Sequence, residues 1–383
     1  MRREIFGLAV AQFSKICRTL DTQGHSDKRK EDFKKNLKQL SDVYANIDIN
    51  NVNDDTFNYI YSRLKSAQIW ALSLDSKNPY TLSPEMRHMI DNLCLIWIPE
   101  HDKFIFSTTD GNFAITRYNS DWDVVYSNIK QVFKIDFTYQ LVPLFTPKHL
   151  HDDFLFVASL YHEFGHFVVR YNNMYDQPAQ KIIEHLNNKT DKVFDLIFDK
   201  WFTAISRLYD SNRTTCSDIK LRDIIIESYV NEYMSDLFGS LYVGHHISNY
   251  VEYLNHGKEN ECSDTHPSYN QRLELVDDFL NDVTDNLLLN YIKEEFDNIG
   301  KPLSKRYVSF DKALLVSGKP LAVNNDEELH SLIYNAWEVY LEESKPSKDL
   351  NGVAIPSKAN IDLYERINRS VKTSIHAYYS HTT

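Results

Sequence analysis

One apolar, helix-forming run of this chain is interrupted by three ionisable side chains. The run is SLYHEFGHFVV, residues 159–169, and its ionisable residues are His162, Glu163 and His166. The other residues are uncharged, so a helix of this sequence would be buried on several sides. Buried His and Glu side chains are costly unless something satisfies them. The interior around this helix must therefore supply polar partners or a metal ion.

The spacing of the two histidines favours a metal ion. His162 and His166 are four residues apart, so on a helix their side chains leave the same face one turn apart. Two imidazole nitrogens can then bind one metal ion, while Glu163 beside them can take a proton from water. The alternative is a helix with two hydrogen-bonded core histidines and a partly exposed glutamate. Two histidines alone do not complete a metal site.

A second helix is needed for the third ligand. The segment VNEYMSDLFG, residues 230–239, places Glu232 and Asp236 four residues apart. Glu232 can bind the metal, and Asp236 can accept the outward N–H of a ligand histidine and so determine its tautomer. Glu227 is an alternative ligand, although no acidic residue follows it four positions later. Gly239 is expected to let this helix approach the first one closely.

Three of the histidines that follow this second helix in the sequence are candidates for the site. His245 and His246 come directly after it; they could face the cleft, but we expect them at the surface end of the helix. His266 lies in THPSYNQRLELV, residues 265–276, a pattern typical of a turn that leads into a helix. Arg272 lies in the same segment, six residues after His266.

The ordered set of HEFGH, then E-x-x-x-D, then THPSYNQR closely resembles the gluzincin zinc peptidases. The similar branch contains the CAAX prenyl-protein endopeptidase, the heat-shock membrane protease and the small soluble minigluzincins. The resemblance covers roughly residues 150 to 280. This chain departs from the family in showing neither membrane spans nor a lipoprotein signal, and in having Ser235 where the family usually has Ala.

The resemblance implies one Zn²⁺ per chain and a set of functional residues around it. These are the zinc ligands His162, His166 and Glu232, the general base Glu163, the orienting residue Asp236, and His266 and Arg272 as catalytic candidates near the metal. The implied activity is a zinc-dependent endopeptidase in which a zinc-activated water hydrolyses a peptide bond of a peptide or protein substrate. The alternative is a latent or catalytically silent zincin-fold binding or regulatory protein that needs a partner or signal, with His266 as an extra ligand.

The expected fold class is α+β and predominantly helical. We expect a zincin-like (gluzincin) core with a small, mostly antiparallel sheet and two zinc-bearing helices. In residues 103–118, two β-branched segments flank Asp110-Gly111 and predict a hairpin. Residues 138–145 predict another strand, in which Pro143 favours an edge position.

Three parts are expected along the chain. They are a helical N-terminal region at residues 1–100, the zinc metallopeptidase core at 101–280, and a helical C-terminal region at 281–383 that packs on the core.

The composition argues against two kinds of partner, nucleic acid and a membrane, and it favours one cellular compartment. The formal net charge is −12, which argues against nucleic-acid binding, since neutralising phosphates requires clustered Lys and Arg. No run approaches the roughly 20 apolar residues that a membrane span needs. The four cysteines, Cys17, Cys94, Cys216 and Cys262, are far apart, which fits a reducing compartment. The expected location is therefore cytoplasmic.

Overall fold

The structure, a computed structural model, describes most of the chain. The described residues are 2–22, 27–49, 52–74, 82–110, 114–115, 120–147, 150–187, 201–202, 216–255, 263, 265–344, 347–348, 354–355 and 358–382. The fold is predominantly helical, as predicted. None of the helices within these ranges is both long and apolar enough to cross a membrane.

The chain divides into two compact units. Unit 1 contains Met1–Ser83 and Leu93–Asp152, and unit 2 contains Pro84–Asn92 and Asp153–Thr383. This division differs from the expected boundaries near residues 100 and 280. At the first boundary, the difference arises because the strands that follow residue 100 bury Ile105 and Leu141 with the N-terminal helices. At the second, Asp153–Thr383 forms part of one unit that continues across residue 280.

Unit 1 combines helices with a small sheet. Its helices are α1 (Arg2–Asp21), α2 (Lys28–Asn46), α3 (Asp54–Leu74), the second part of α4 (Pro84–Trp97) and α5 (Ser120–Phe133), with a short 3₁₀ helix at His101–Lys103. The buried core contains Trp70 of α3, whose ring stacks on that of Tyr126 with the centroids 4.8 Å apart. Ile105 and Leu141, from the two longer strands, belong to the same core.

The sheet of unit 1 is mainly parallel, so the expected mostly antiparallel sheet is wrong. Its strands are β1 (Phe104–Asp110), β2 (Ala114–Ile115) and β3 (Gln140–Thr146), in the order β1-β3-β2. β1 pairs with β3 in parallel along the whole of both strands. The antiparallel pairing of β2 with β3 involves only Ala114 with Phe145 and Ile115 with Leu144.

The predicted hairpin is therefore also wrong, because β3 lies between the two strands that flank Asp110-Gly111. Gly111 itself lies outside the described residues. The Asp-Gly signal for a tight turn was outweighed by the burial of apolar side chains in β1. Phe104, Ile105 and Phe106 are buried in succession, which is typical of a parallel strand covered on both faces. Pro143 likewise belongs to the middle strand and not to an edge strand.

Unit 2 is built from helices around one long central helix. Its elements are the first part of α4, α6 (Val157–Tyr171), α7 (Asp176–Asn187), α8 (Cys216–Val243), α9 (His246–Asn255), α10 (Tyr269–Leu280), α11 (Leu287–Asn298), α12 (Lys312–Val316), α13 (Asp326–Glu343), β4 (Ser347–Lys348), β5 (Ala354–Ile355) and α14 (Lys358–Thr382). Every residue of α8 from position 229 to its end is buried. α6 packs along α8, and α10 and α13 also contact α8.

A fully buried histidine connects three helices of unit 2. His330 of α13 is hydrogen-bonded through Nδ1 to the Tyr161 hydroxyl at 2.7 Å and through Nε2 to Asn92 Oδ1 at 2.8 Å. Asn92 lies in the part of α4 that belongs to unit 2. Burial lowers the pKa of His330 to about 3, so the side chain is neutral at pH 7. Its Nε2–H then donates to Asn92, and Nδ1 accepts from Tyr161.

The buried His330 makes the stability of unit 2 depend on pH. The unfolded chain protonates this histidine below about pH 6.5, whereas the folded chain resists protonation down to about pH 3. The stability is therefore present above pH 6.5 and is lost as the pH falls. We expect His330→Gln to remove about 2 kcal/mol of the stability loss that occurs between pH 7 and pH 5. Urea unfolding at several pH values, with exposed His381→Gln as control, measures this difference. An unchanged pH slope in His330→Gln would contradict it.

Candidate metal centre

Two helices of unit 2 bring His162, His166 and Glu232 together. Glu232 Oε2 lies 3.5 Å from Nε2 of His162, and Glu232 Oε1 lies 3.3 Å from Nε2 of His166. Ligand atoms of the three residues all lie within 4.8 Å of one another. Two ligand atoms that each lie about 2.1 Å from a tetrahedral zinc ion are about 3.4 Å apart. The observed separations therefore fit one zinc ion.

Burial strengthens this fit. His162 is 4% exposed and Glu232 is 6% exposed. Glu232 Oε2 is buried and accepts no hydrogen bond from the part of the chain that the structure describes, although Arg272 Nη2 lies 3.6 Å from it. Leaving a buried carboxylate oxygen without a donor is costly, and a bound cation would satisfy it. Two imidazoles and one carboxylate also form a donor set of catalytic zinc sites, in which the fourth position takes water or substrate.

Asp236 and Arg272 hold His162 in place. Asp236 Oδ1 lies 2.9 Å from Nδ1 of His162, which is the position that the sequence predicts for this carboxylate. Arg272 donates two hydrogen bonds to Asp236, from Nε at 2.6 Å and from Nη2 at 2.7 Å. With its Nδ1 directed at Asp236, His162 presents Nε2 to Glu232. Arg272 Nη2 also lies 3.6 Å from Glu232 Oε2, so this residue positions His162 through Asp236 and pairs electrostatically with the carboxylate that faces both histidines.

The buried charged side chains of the site compensate one another. Burial alone would lower the pKa of His162, but the carboxylates of Asp236 and Glu232 outweigh it and raise the pKa to about 10. Burial opposes ionisation of Asp236, yet the Arg272 guanidinium holds the pKa of that carboxyl below its usual value. Metal binding must therefore displace a proton from His162, and the affinity for metal should fall as the pH falls.

Two residues that the sequence analysis did not assign hold the second histidine. Ser235 donates its hydroxyl proton to the Asn231 carbonyl at 2.8 Å, so its oxygen accepts from Nδ1–H of His166 at 2.7 Å. The Asn231 side-chain amide also lies 2.8 Å from this Nδ1. The Ser235 contact places the proton on Nδ1 and leaves Nε2 to face Glu232, whereas the Asn231 amide nitrogen is itself a donor and does not accept this proton. Asn231 and Ser235 each precede a site carboxylate by one residue, a pattern that could have revealed them.

The remaining candidates are more exposed than His162 and Glu232. Glu163 is half-buried on α6, next to His162. The His266 side chain is 57% exposed, and its Nε2 lies 3.5 Å from Glu232 Oε1. Glu227, the alternative ligand, lies five positions before Glu232, which turns its side chain by about 140° around the helix. Glu232 is the carboxylate that meets the histidines.

The close approach of α6 and α8 depends on Gly165. A Cβ atom at this position would lie 3.0 Å from both Cα and O of Ser235, which are backbone atoms of α8 that cannot easily move. Gly239, which was expected to allow the approach, has its tightest neighbour elsewhere: its Cβ would lie 2.8 Å from the Ile247 side chain of α9. The glycine within HEFGH therefore sets the distance between the helices that carry the ligands.

Ser235→Ala tests how the second histidine is held. The change removes an acceptor of the His166 Nδ1–H, and we expect the affinity for Zn²⁺ to fall about tenfold, as when other supporting partners of ligands are lost. The matched control is Ser240→Ala on the same helix, where the buried hydroxyl donates to the Leu237 carbonyl. Competition with a chromophoric chelator measures both affinities. Equal affinities in the two variants would count against this role.

Comparisons with known proteins add nothing to this geometry. No family model, no curated protein and no solved structure matches the chain. The resemblance of the three motifs to gluzincins stays an expectation, and the chemistry of the site depends on its own side chains.

Proposed function

We propose that this chain is a zinc-dependent endopeptidase. The observation that supports the proposal is the convergence of His162, His166 and Glu232 from two helices, at separations that suit one tetrahedral zinc ion. Glu163 lies on the helix that carries both histidines, so a proton acceptor accompanies the ligands. A zinc site with a structural role has no need of such an acceptor.

The residues of this chain have separate tasks in the proposed reaction. Zinc, when bound, supplies a Lewis acid that activates water near neutral pH and polarises a carbonyl group. Glu163 accepts a proton from the attacking water and delivers it to the amine that leaves when the peptide C–N bond breaks. His266 can donate to the oxygen on which negative charge develops. Asp236 with its Arg272 partner, and Ser235, hold the ligand histidines.

Burial indicates the side from which a substrate would approach. His162, Glu232 and Asp236 are almost completely buried, whereas Glu163 is half-buried and His266 is exposed. A peptide therefore reaches the site from the side of Glu163 and His266. A peptide on that side would contact Glu163, the proposed proton acceptor, and His266, the proposed oxyanion donor.

A second candidate is a latent peptidase in which His266 occupies the open metal position. His266 Nε2 lies 3.5 Å from Glu232 Oε1, close to the separations between the ligand histidines and this carboxylate. An additional imidazole at the metal would exclude the attacking water. In that state, activity would require a partner or signal that withdraws His266.

Glu163→Gln tests the proposed enzyme. The variant keeps the shape of the side chain but lacks a carboxylate to accept a proton, so turnover should fall by about 10²- to 10⁴-fold. Zinc content should stay at the wild-type level. Cleavage-site profiling on a broad peptide library, with and without a chelator, measures the activity. The matched control, exposed Glu184→Gln on α7, should cleave at the wild-type rate. Equal turnover of Glu163→Gln and wild type would sink the proposal.

His266→Ala separates the two candidates because they predict opposite signs. If His266 stabilises the oxyanion, the variant should lose about 10²-fold in kcat, the lower end for one oxyanion donor, with little change in zinc affinity. If His266 is an inhibitory ligand, the variant should gain activity and bind zinc more weakly. The exposure of His266 makes a folding defect an inadequate explanation for either result. An unchanged kcat with unchanged zinc affinity would exclude both roles.

A further inference from the structure

Two adjacent histidines meet at the junction between α8 and α9. α8 ends at Val243, and Gly244 then takes a left-handed conformation with φ of 55°. Side chains of consecutive residues on a helix point about 100° apart. At this turn, however, the ring centroids of His245 and His246 lie only 4.1 Å apart. The expectation that both residues lie at the surface is correct for His245 and wrong for His246, which is fully buried.

Glu338 of α13 faces both imidazole rings. Its Oε1 lies 2.8 Å from Nε2 of His246 and 3.7 Å from Nε2 of His245. Ligand atoms of the three residues all lie within 4.8 Å of one another. The two separations lie on either side of the value of about 3.4 Å expected between ligands of a tetrahedral zinc ion. A shift of about 0.3 Å in the exposed His245, and one of about 0.6 Å between Glu338 and His246, would bring both separations to this value.

Neighbouring groups fix the orientation of His246 and Glu338. The Asn249 amide nitrogen donates to Nδ1 of His246 at 3.0 Å, and Nε2 is the nitrogen directed at Glu338. Lys312 binds Glu338 through the other oxygen, Oε2, at 3.0 Å. Oε1 is therefore left to face the imidazoles. The ring of Trp337 lies nearly parallel to that of His246, at an angle of 13°, and limits its rotation.

The group is also open to solvent on one side. The side chains of His245 and Glu338 are 52% and 20% exposed. Metal can therefore enter, and water can complete the coordination. Two imidazoles with one carboxylate favour a borderline divalent cation such as Zn²⁺ over Ca²⁺ or Mg²⁺, which prefer ligands that are all oxygen.

We propose that His245, His246 and Glu338 form a second binding site for a divalent transition-metal ion, with Zn²⁺ as its first candidate. This site goes beyond the proposed peptidase activity and beyond the single zinc ion expected from the sequence. It joins the C-terminal end of α8 to α13. A metal bound there holds the two helices together whether or not the first site catalyses a reaction.

The test is a count of bound zinc ions in the full chain. Metal-free protein is titrated with Zn²⁺ by calorimetry, and bound zinc is counted by elemental analysis after desalting. We expect His245→Ala to bind one equivalent fewer than the wild type. His245 is exposed, so this change should leave the fold intact. The matched control is His185→Ala on α7, whose ring contacts Tyr291 and belongs to neither group. It should bind as much zinc as the wild type.

A second variant distinguishes zinc bound by His245, His246 and Glu338 from zinc bound at the first site. In His162→Ala/His166→Ala, the first site is removed, and we expect one equivalent of Zn²⁺ to remain and to raise the Tm. Adding His245→Ala should abolish that equivalent. The proposal is overturned if His245→Ala binds as many equivalents as the wild type with unchanged affinity. A failed first site would instead lower the wild-type count and leave the loss caused by His245→Ala in place.

Discussion

Asp236 is almost fully buried, accepts two hydrogen bonds from the Arg272 guanidinium, and lies 2.9 Å from Nδ1 of His162. An ionised carboxylate in such a place is tolerated only because its charge is matched and its oxygens are occupied. The three residues come from α8, α10 and α6 in turn. This one interaction therefore sets the position of three helices and the orientation of a metal ligand. The rest of the candidate site depends on it.

Those residues of the candidate site that share one face of a helix could be predicted from their spacing in the sequence. A spacing of four residues places side chains on one face, so the pairs His162–His166 and Glu232–Asp236 could be recognised without coordinates. The partner of Arg272 could not be predicted in this way. That contact joins segments far apart in the sequence, and nothing in THPSYNQR specifies which carboxylate the guanidinium meets. Ser235 was noticed only as a departure from the family, although it supports His166.

For the sheet, by contrast, a strong local sequence signal predicted the wrong strand pairing. Asp-Gly between β-branched segments favours a tight turn, yet the strands on either side of it both pair with β3. The successive buried residues Phe104, Ile105 and Phe106 already carried this information, because a strand with one solvated face would alternate. The sequence also did not show which glycine allows the two helices to approach. A Cβ at Gly165 would meet a neighbouring backbone, whereas one at Gly239 would meet a flexible side chain most closely.

The nested order of the two units affects how the chain can fold during its synthesis. Pro84–Asn92 belongs to unit 2, although it emerges before the last strand of unit 1 has been made. Its Asn92 must wait for His330, which is translated more than two hundred residues later. The first turns of α4 thus remain without their final neighbours through most of translation. Cutting the gene near residue 100 to isolate a catalytic fragment would remove this early-made piece of unit 2.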